Sequence, residues 1–447
     1  MLFRQFVDDG LGCASYLIGD DSVGEAVVVD PAYAIEQYLE AAARAEVRIT
    51  RVVETHTHAD HVSGHGRLAL EHGVPVSIHP AAEPEYPFDP LEDGQELELG
   101  DVVLRVVHTP GHRPEHCALT VTDRSRGDEP WLVLTGDSLF VGDVARPDLA
   151  VEAQEGAEGL FHSLRRLAEL PDGVEIYPGH VAGSLCGAGM SSKPSSTIGF
   201  ERRFNHALGI ATADEFVADQ MGRRAPRPPN MDRIVELNRG PYLGAPPELK
   251  RLDDPGGATL LDVRDAQPFA NGHAAGALNV PLSGSSFATK AGFVLLGDER
   301  IAVQAASVEE AEHAARGLRS VGLLDLAGYV LDAPTPESFD PVDLDELDGL
   351  LERDEVEVLD VREPDERAEG YIGGSRHIPY RLLRAYQDDL PTDRPVVTIC
   401  SSGARAAIAA SVLEAAGVEA RPVLGAGVSD WEARGGQTVE FRRCGST

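Results

Sequence analysis

Over residues 1–200, short apolar and β-branched runs alternate with turn signals and a few stretches of helical spacing. ITRVVE at 49–54 reads as a buried strand, and AVVV at 26–29, VPVSI at 74–78, VVLRVV at 102–107 and WLVL at 131–134 predict others, as do 119–122 and 174–177. Apolar residues three and four apart predict helices over 34–45, 62–72 and 159–170, the second stopped by Gly73. Many strands with helices between them make a layered α/β domain. Residues 191–237 keep a helical period interrupted by RRAPRPPN, a connector expected to pack against that domain.

Beyond the connector the pattern repeats. Segments around Asp262 and Asp360 share a strand, an Asp-Val-Arg, a small helix and a Gly-x-x-x-Gly turn, and Pro281 corresponds to Pro379. LDAPTPESFDPV at 331–342 separates the copies as a linker. The expected domains are 1–240, 241–332 and 343–447, all of them α/β.

Charge narrows the partners. The formal net charge is −35, from 74 acidic and 39 basic residues, and argues against nucleic acid and anionic membrane, which need a basic face. Lysine occurs only at Lys193, Lys250 and Lys290. A high-GC genome or a salt-adapted host accounts for that bias better than a functional use of the acidity. No apolar run reaches the roughly 20 residues of a membrane span, and MLFRQFVDDGLG does not read as a signal peptide, so a cytoplasmic protein is expected. Five scattered cysteines are no disulfide framework and point to reduced thiols.

THTHADH at 55–61 follows the 49–54 strand and so lies on a loop at its C-terminal end. Imidazoles and a carboxylate crowded on one turn suit a cation better than a solvated surface. VVLRVVHTPGH leads to His112, WLVLTGD to Asp137 and VEIYPGH to His180. With His56, His58, Asp60 and His61 they make seven candidate metal-binding groups drawn to strand ends.

THTHADH, HTPGH, TGD and YPGH in this order resemble the metallo-β-lactamase superfamily, whose fold is an αββα sandwich with the metal site at one edge. The resemblance implies two competing readings. In one, similar to glyoxalase II, all seven groups hold two zinc ions and a bridging hydroxide attacks a thioester. In the other, similar to persulfide dioxygenase, His56, His112 and Asp137 form a two-histidine, one-carboxylate triad on a single Fe(II). His58, Asp60, His61 and His180 then orient the ligands or form a second metal site. GDSLFVGDVARPDL at 136–149 looks more like the dioxygenase branch. Within it Arg146 is a candidate for a substrate carboxylate, or a structural ion pair. Cys186 is a candidate sulfur relay, or packing. Cys13 reads as core packing, and His65, His72, His79 and His116 as surface or loop residues.

In the last copy, PVVTI runs into CSSGAR at 400–405 and an alanine-rich helix, which puts Cys400 at a helix N-terminus before Arg405, a setting that stabilises a thiolate. Asp-Val-Arg, the glycine turn and C-x-x-G-x-R resemble rhodanese sulfurtransferases, and imply Cys400 as nucleophile and Arg405 as anion binder. The preceding copy has Ala305 and Glu310 at those positions and reads as a non-catalytic spacer or docking domain. The whole order is similar to fused persulfide dioxygenase and rhodanese proteins. That implies oxidation of a small thiol persulfide with O2 to sulfite, then thiosulfate formation, by an expected homo-oligomer. A non-catalytic sulfur carrier or sensor is the alternative outside enzymes.

Overall fold

In this computed structural model the described residues are 1–8, 10–181, 190–222, 226–387, 390 and 393–439. Two compact units divide them, Met1–Pro246 with Arg319–Gly322, and Pro247–Leu318 with Leu323–Thr447. Among the described residues no helix is long and apolar enough to cross a membrane.

The first unit is built on two six-stranded sheets. One holds β1 (Leu2–Asp8), β2 (Cys13–Asp20), β3 (Glu25–Val29), β4 (Arg48–Val53), β5 (Val76–Ile78) and β6 (Asp89–Pro90), side by side in chain order. The other holds β7 (Glu96–Leu99), β8 (Val102–His108), β9 (Cys117–Asp123), β10 (Leu132–Gly136), β11 (Glu175–Pro178) and β12 (Ser196–Thr197), also in order. Alternate residues of each sheet point inward and meet: Tyr16, Ile18, Val27 and Val53 share one core with Leu104, Val106, Leu119 and Leu134. The opposite faces carry helices. Glu36–Arg44 and His65–His72 bury Tyr38 and Leu68 against Leu17, Val28 and Val52 of the first sheet. Ala153–Leu167 buries Leu160 and Leu164 with Val133 and Ile176 of the second. The result is an αββα sandwich.

β2, the early apolar strand that carries Cys13, is buried along its whole length because it lies between β1 and β3. The helix expected over 62–72 begins at His65; Ser63 instead bridges Ala32, its N–H donating to Asn238 and its hydroxyl to Glu54. Gly73 ends it in the left-handed region at φ 66°.

The second unit contains two four-stranded parallel sheets of one topology. β13 (Thr259–Asp262) lies between β14 (Leu278–Asn279) and β15 (Ile301–Gln304), with β16 (Leu326–Val330) outermost. In the second sheet β17 (Glu357–Asp360) lies between β19 (Arg376–His377) and β20 (Val396–Ile399), with β21 (Ala420–Pro422) outermost. β18 (Tyr371–Ile372) pairs separately with β22 (Thr438–Val439). The repeat seen in the sequence is therefore a repeat of strand order 2-1-3-4. Helix Ala404–Ala415 buries Ala406 through Leu413, and its alanines suit an element covered on all sides. Its Ser411 hydroxyl accepts from the Asn279 N–H, and its Glu414 meets His273, so it also joins the two halves of the unit.

Candidate metal centre and thiol loop

The first site forms where β4, β8, β10 and β11 end together. The tautomers of its histidines follow from their partners. The Thr55 hydroxyl donates to Asp30 at 2.8 Å, so the 2.9 Å contact of His56 Nδ1 with that hydroxyl is a donation by the imidazole. His112 Nδ1 donates to the Arg146 carbonyl at 3.0 Å. Both rings thus turn an Nε2 lone pair toward Asp137 Oδ2, at 3.9 Å from His56 and 3.6 Å from His112. Asp137 Oδ1 is held at 2.7 Å by His180 Nδ1, while Oδ2 has no hydrogen-bond partner among the described residues. Three electron-pair donors, each about 1% exposed, converge within 4.8 Å of one another. A cation fits that set.

Charge preferences separate His58 from these two histidines. Burial, reinforced by the neighbouring histidines, holds His56 well below its ordinary value, and burial lowers His112 as well, so both rings favour the neutral form a metal needs. Burial also opposes a charge on His58, but Asp30 and Glu54 outweigh it and hold its imidazole well above the ordinary value. Its Nε2 sits 3.1 Å from Glu54 and 3.4 Å from Asp30, while Nδ1, on the other side of the ring, is buried and has no hydrogen-bond partner among the described residues. Asp137 would be raised by burial, but His180 pulls it down to about 2, which keeps it a carboxylate.

The remaining predicted residues fall into a second group. Asp60 Oδ2 lies 2.7 Å from His180 Nε2, and Asp60 Oδ1 lies 3.1 Å from His61 Nδ1. The fourth member is Cys13, whose Sγ is 3.3 Å from Asp60, 3.4 Å from His61 and 3.3 Å from His180. Cys13 is therefore no mere core filler. It opens β2, and the Ala14 N–H is anchored to the Gly179 carbonyl at 2.7 Å, which sets the thiol beside His180.

Of the histidines expected at the surface or on loops, His116 lies on a loop and His65 opens a helix, and both are buried. The Asp137 N–H donates to His116 Nε2 at 2.8 Å, and His116 Nδ1 donates to Thr109, so this ring props the backbone of a metal-facing carboxylate. His65 is held by Glu54 at 3.2 Å. Arg146 forms an ion pair with Asp148 through two bonds, at 2.7 and 2.9 Å, and donates to the Pro226 carbonyl at 2.7 Å. Cys186 lies outside the described residues.

In the second unit Cys400 follows β20 as Ala305 follows β15. The Gly403 N–H donates to Cys400 Sγ at 3.1 Å. Gly403 needs its φ of +90°, and a Cβ there would meet the Gly425 nitrogen at 2.5 Å. Arg405 is anchored to Glu366 through both terminal nitrogens at 2.6 Å, and to the Ser401 hydroxyl at 2.8 Å. In the other repeat Glu310 accepts from the Ala306 N–H at 2.9 Å, filling its own loop with a carboxylate.

An αββα sandwich with histidines and carboxylates at strand ends, followed by a parallel α/β domain with a cysteine loop, defines a metallo-β-lactamase-type metal domain joined to a rhodanese-like domain. Family models match accordingly, the metallo-beta-lactamase superfamily over residues 8–180 and the rhodanese-like domain over 343–434. The chain is 30% identical over 251 residues to persulfide dioxygenase ETHE1, mitochondrial, of Bos taurus, covering 55% of this chain and 91% of that one. It is 29% identical over 192 residues to a Bacillus velezensis protein named for a zinc-dependent hydrolase of polyketide biosynthesis, BaeB, covering 42% and 80%. The crystal structure of a metallo-beta-lactamase from Staphylococcus aureus subsp. aureus COL aligns at TM-score 0.68 and 30% identity, covering 74% of this chain and 98% of that one. The chain belongs to the metallo-β-lactamase superfamily, with persulfide dioxygenases among its relatives, and carries a rhodanese-like domain C-terminal to the metal-binding domain.

Proposed function

We propose that the first domain is a mononuclear Fe(II) dioxygenase of small thiol persulfides, and that the C-terminal domain is a sulfurtransferase that turns its sulfite into thiosulfate. The observation that carries this reading is the convergence of two neutral imidazole nitrogens and one carboxylate oxygen, on a chain that also holds the Cys400 loop. His56, His112 and Asp137 would hold the metal, and ferrous iron in such a set supplies O2 activation with coordination positions left for substrate.

The protein's own groups prepare that centre. Thr55 and the Arg146 carbonyl fix the two imidazoles, and His180 turns Asp137 Oδ2 inward. His58, held charged by Asp30 and Glu54, offers Nδ1–H to an anionic sulfur or oxygen. The net reaction consumes persulfide, O2 and water and yields thiol, sulfite and two protons. In the second domain the Cys400 thiolate attacks the outer sulfur of a persulfide, the S–S bond breaks and a thiolate leaves. Sulfite then attacks the sulfur carried on Cys400, that S–S bond breaks, and thiosulfate departs as the Cys400 thiolate returns.

A second reading, a di-zinc hydrolase, is favoured by the separate group Cys13, Asp60, His61 and His180, which offers a further set of donors. Metal analysis of the purified protein with O2 uptake on glutathione persulfide decides. About one iron per chain with O2 uptake and sulfite release is expected. Two zinc ions with thioester hydrolysis and no O2 uptake would overturn the oxygenase. Cys400→Ser is expected to keep O2 uptake and sulfite release while thiosulfate formation disappears.

A further inference from the structure

Sulfite is a compact oxyanion, and a loop that receives it needs uncommitted positive charge close to the sulfur of Cys400. The arginines that the C-terminal repeat brings to this end of its sheet are already matched to carboxylates. Arg405 is bound bidentately by Glu366, Arg381 meets Glu363 at 3.1 Å, and Arg362 meets Asp360 at 2.7 Å. Each of those arginines therefore already has a carboxylate against it.

The other repeat holds a cation of a different kind. Helix Phe287–Val294 is fixed against the C-terminal repeat: Phe293 places its ring edge-on to Tyr380 with centroids 6.0 Å apart, and Arg384 donates to the Val294 carbonyl at 2.9 Å. Lys290 lies one turn before Phe293, on the same helix face. Its half-buried ammonium donates to the Ser285 carbonyl at 2.7 Å and has no carboxylate partner among the described residues. Both Cys400 and Arg405 act on it electrostatically. Burial lowers its pKa, the Arg405 charge lowers it further, and the Cys400 sulfur acts in the opposite sense. An ammonium carries three N–H donors, so two remain for a ligand. In a chain with only three lysines against 39 basic residues, a compact point charge stands at this position.

We propose that Lys290, supplied by the repeat that lacks a nucleophile, binds the sulfite that attacks the sulfur on Cys400, and so sets the acceptor specificity of the sulfurtransferase. The inference rests on the sulfurtransferase reading above. It also accounts for the middle repeat, which completes its neighbour's anion site.

The test uses the full chain with glutathione persulfide as donor and either sulfite or cyanide as acceptor, since cyanide is mostly uncharged HCN near neutral pH. Lys290→Gln is expected to raise the KM for sulfite by about 10-fold or more, the loss of one charge-assisted contact, with kcat within about 2-fold. The KM for cyanide is expected to move by less than about 2-fold, and Lys290→Arg to recover most of the sulfite affinity. An unchanged sulfite KM, or sulfite and cyanide values rising together, would overturn the assignment. If the wild-type chain transfers sulfur to neither acceptor, the sulfurtransferase reading falls and the inference with it.

Discussion

Asn238 donates from Nδ2 to the carbonyl of His61 at 2.8 Å, from a helix 177 residues further along the chain. The same amide nitrogen donates to the His58 carbonyl at 3.0 Å, and its oxygen accepts from the Ser63 N–H at 2.9 Å. One side chain thus satisfies three backbone groups of the buried THTHADH loop and fixes its path.

Asn238→Leu leaves those three groups unpaired at nearly the same volume. A cost of about 1–3 kcal/mol to the first unit is expected, with metal affinity down by about 10-fold or more as His56 loses its setting. Chemical denaturation and competition with a chelator measure the two effects. A variant with full metal affinity would show that the loop holds itself.

Gly179 tests the placement of Asp137. A Cβ there would come within 2.5 Å of Asp137 Oδ1 and 3.1 Å of the Gly136 carbonyl carbon. Gly179→Ala therefore has to push the carboxylate or the β10 end aside, and is expected to lower metal occupancy several-fold while the fold persists. Metal content at unchanged circular dichroism is the readout. The neighbouring Gly173 meets nothing within 4 Å, and Gly173→Ala is the control expected to keep full occupancy.

Gly403 does the same for the thiol loop. Its φ of +90° and the 2.5 Å approach to Gly425 leave no room for a side chain. Gly403→Ala is expected to remove thiosulfate formation by at least about 100-fold and to leave O2 uptake unchanged, because the two sites lie in separate units. Parallel assays on one preparation separate the outcomes. Loss of both activities would mean that the metal domain depends on this loop.

The parts of this arrangement that are legible in the sequence are those written locally. THTHADH, the strand ends leading to His112, Asp137 and His180, and the repeated Asp-Val-Arg are contiguous signals with a fixed relation to a strand or loop. Cys13 reads as core packing because its partners are Asp60 and His180, 47 and 167 residues away, and a cysteine opening an apolar strand carries no local mark of them. His116 is hidden for the same reason: its role is to accept the Asp137 N–H, a bond across two strands. Glu54 and Asp30 look like ordinary ends of apolar runs. A carboxylate at the end of a buried strand nonetheless needs a cationic or N–H partner, and that requirement is a signal of their role. Lys290 stands out only by the rarity of lysine.

His273 is expected to make the second unit's stability depend on pH. Its Nε2 lies 2.6 Å from Glu414, its Nδ1 lies 2.8 Å from the Phe269 carbonyl, and its ring stacks on Phe269 with centroids 4.0 Å apart. Both nitrogens face acceptors, so only the imidazolium satisfies both. Burial by itself would lower its pKa, but Glu414 and the Phe269 carbonyl outweigh burial and raise it. A group with a raised folded pKa adds stability that is fully present below its unfolded value, about 6.5, and lost as pH rises through the folded value. The joint between the repeats is therefore expected to weaken from about pH 6.5 upward. Trp431 is buried in this unit and Trp131 lies in the other, so a Trp131→Phe background reports the second unit alone. In that background the denaturation midpoint should fall as the pH is raised above about 6.5, and His273→Gln, which cannot take up a proton, should flatten the fall. An identical pH slope in the two proteins would show that the His273 and Glu414 pair does not carry it.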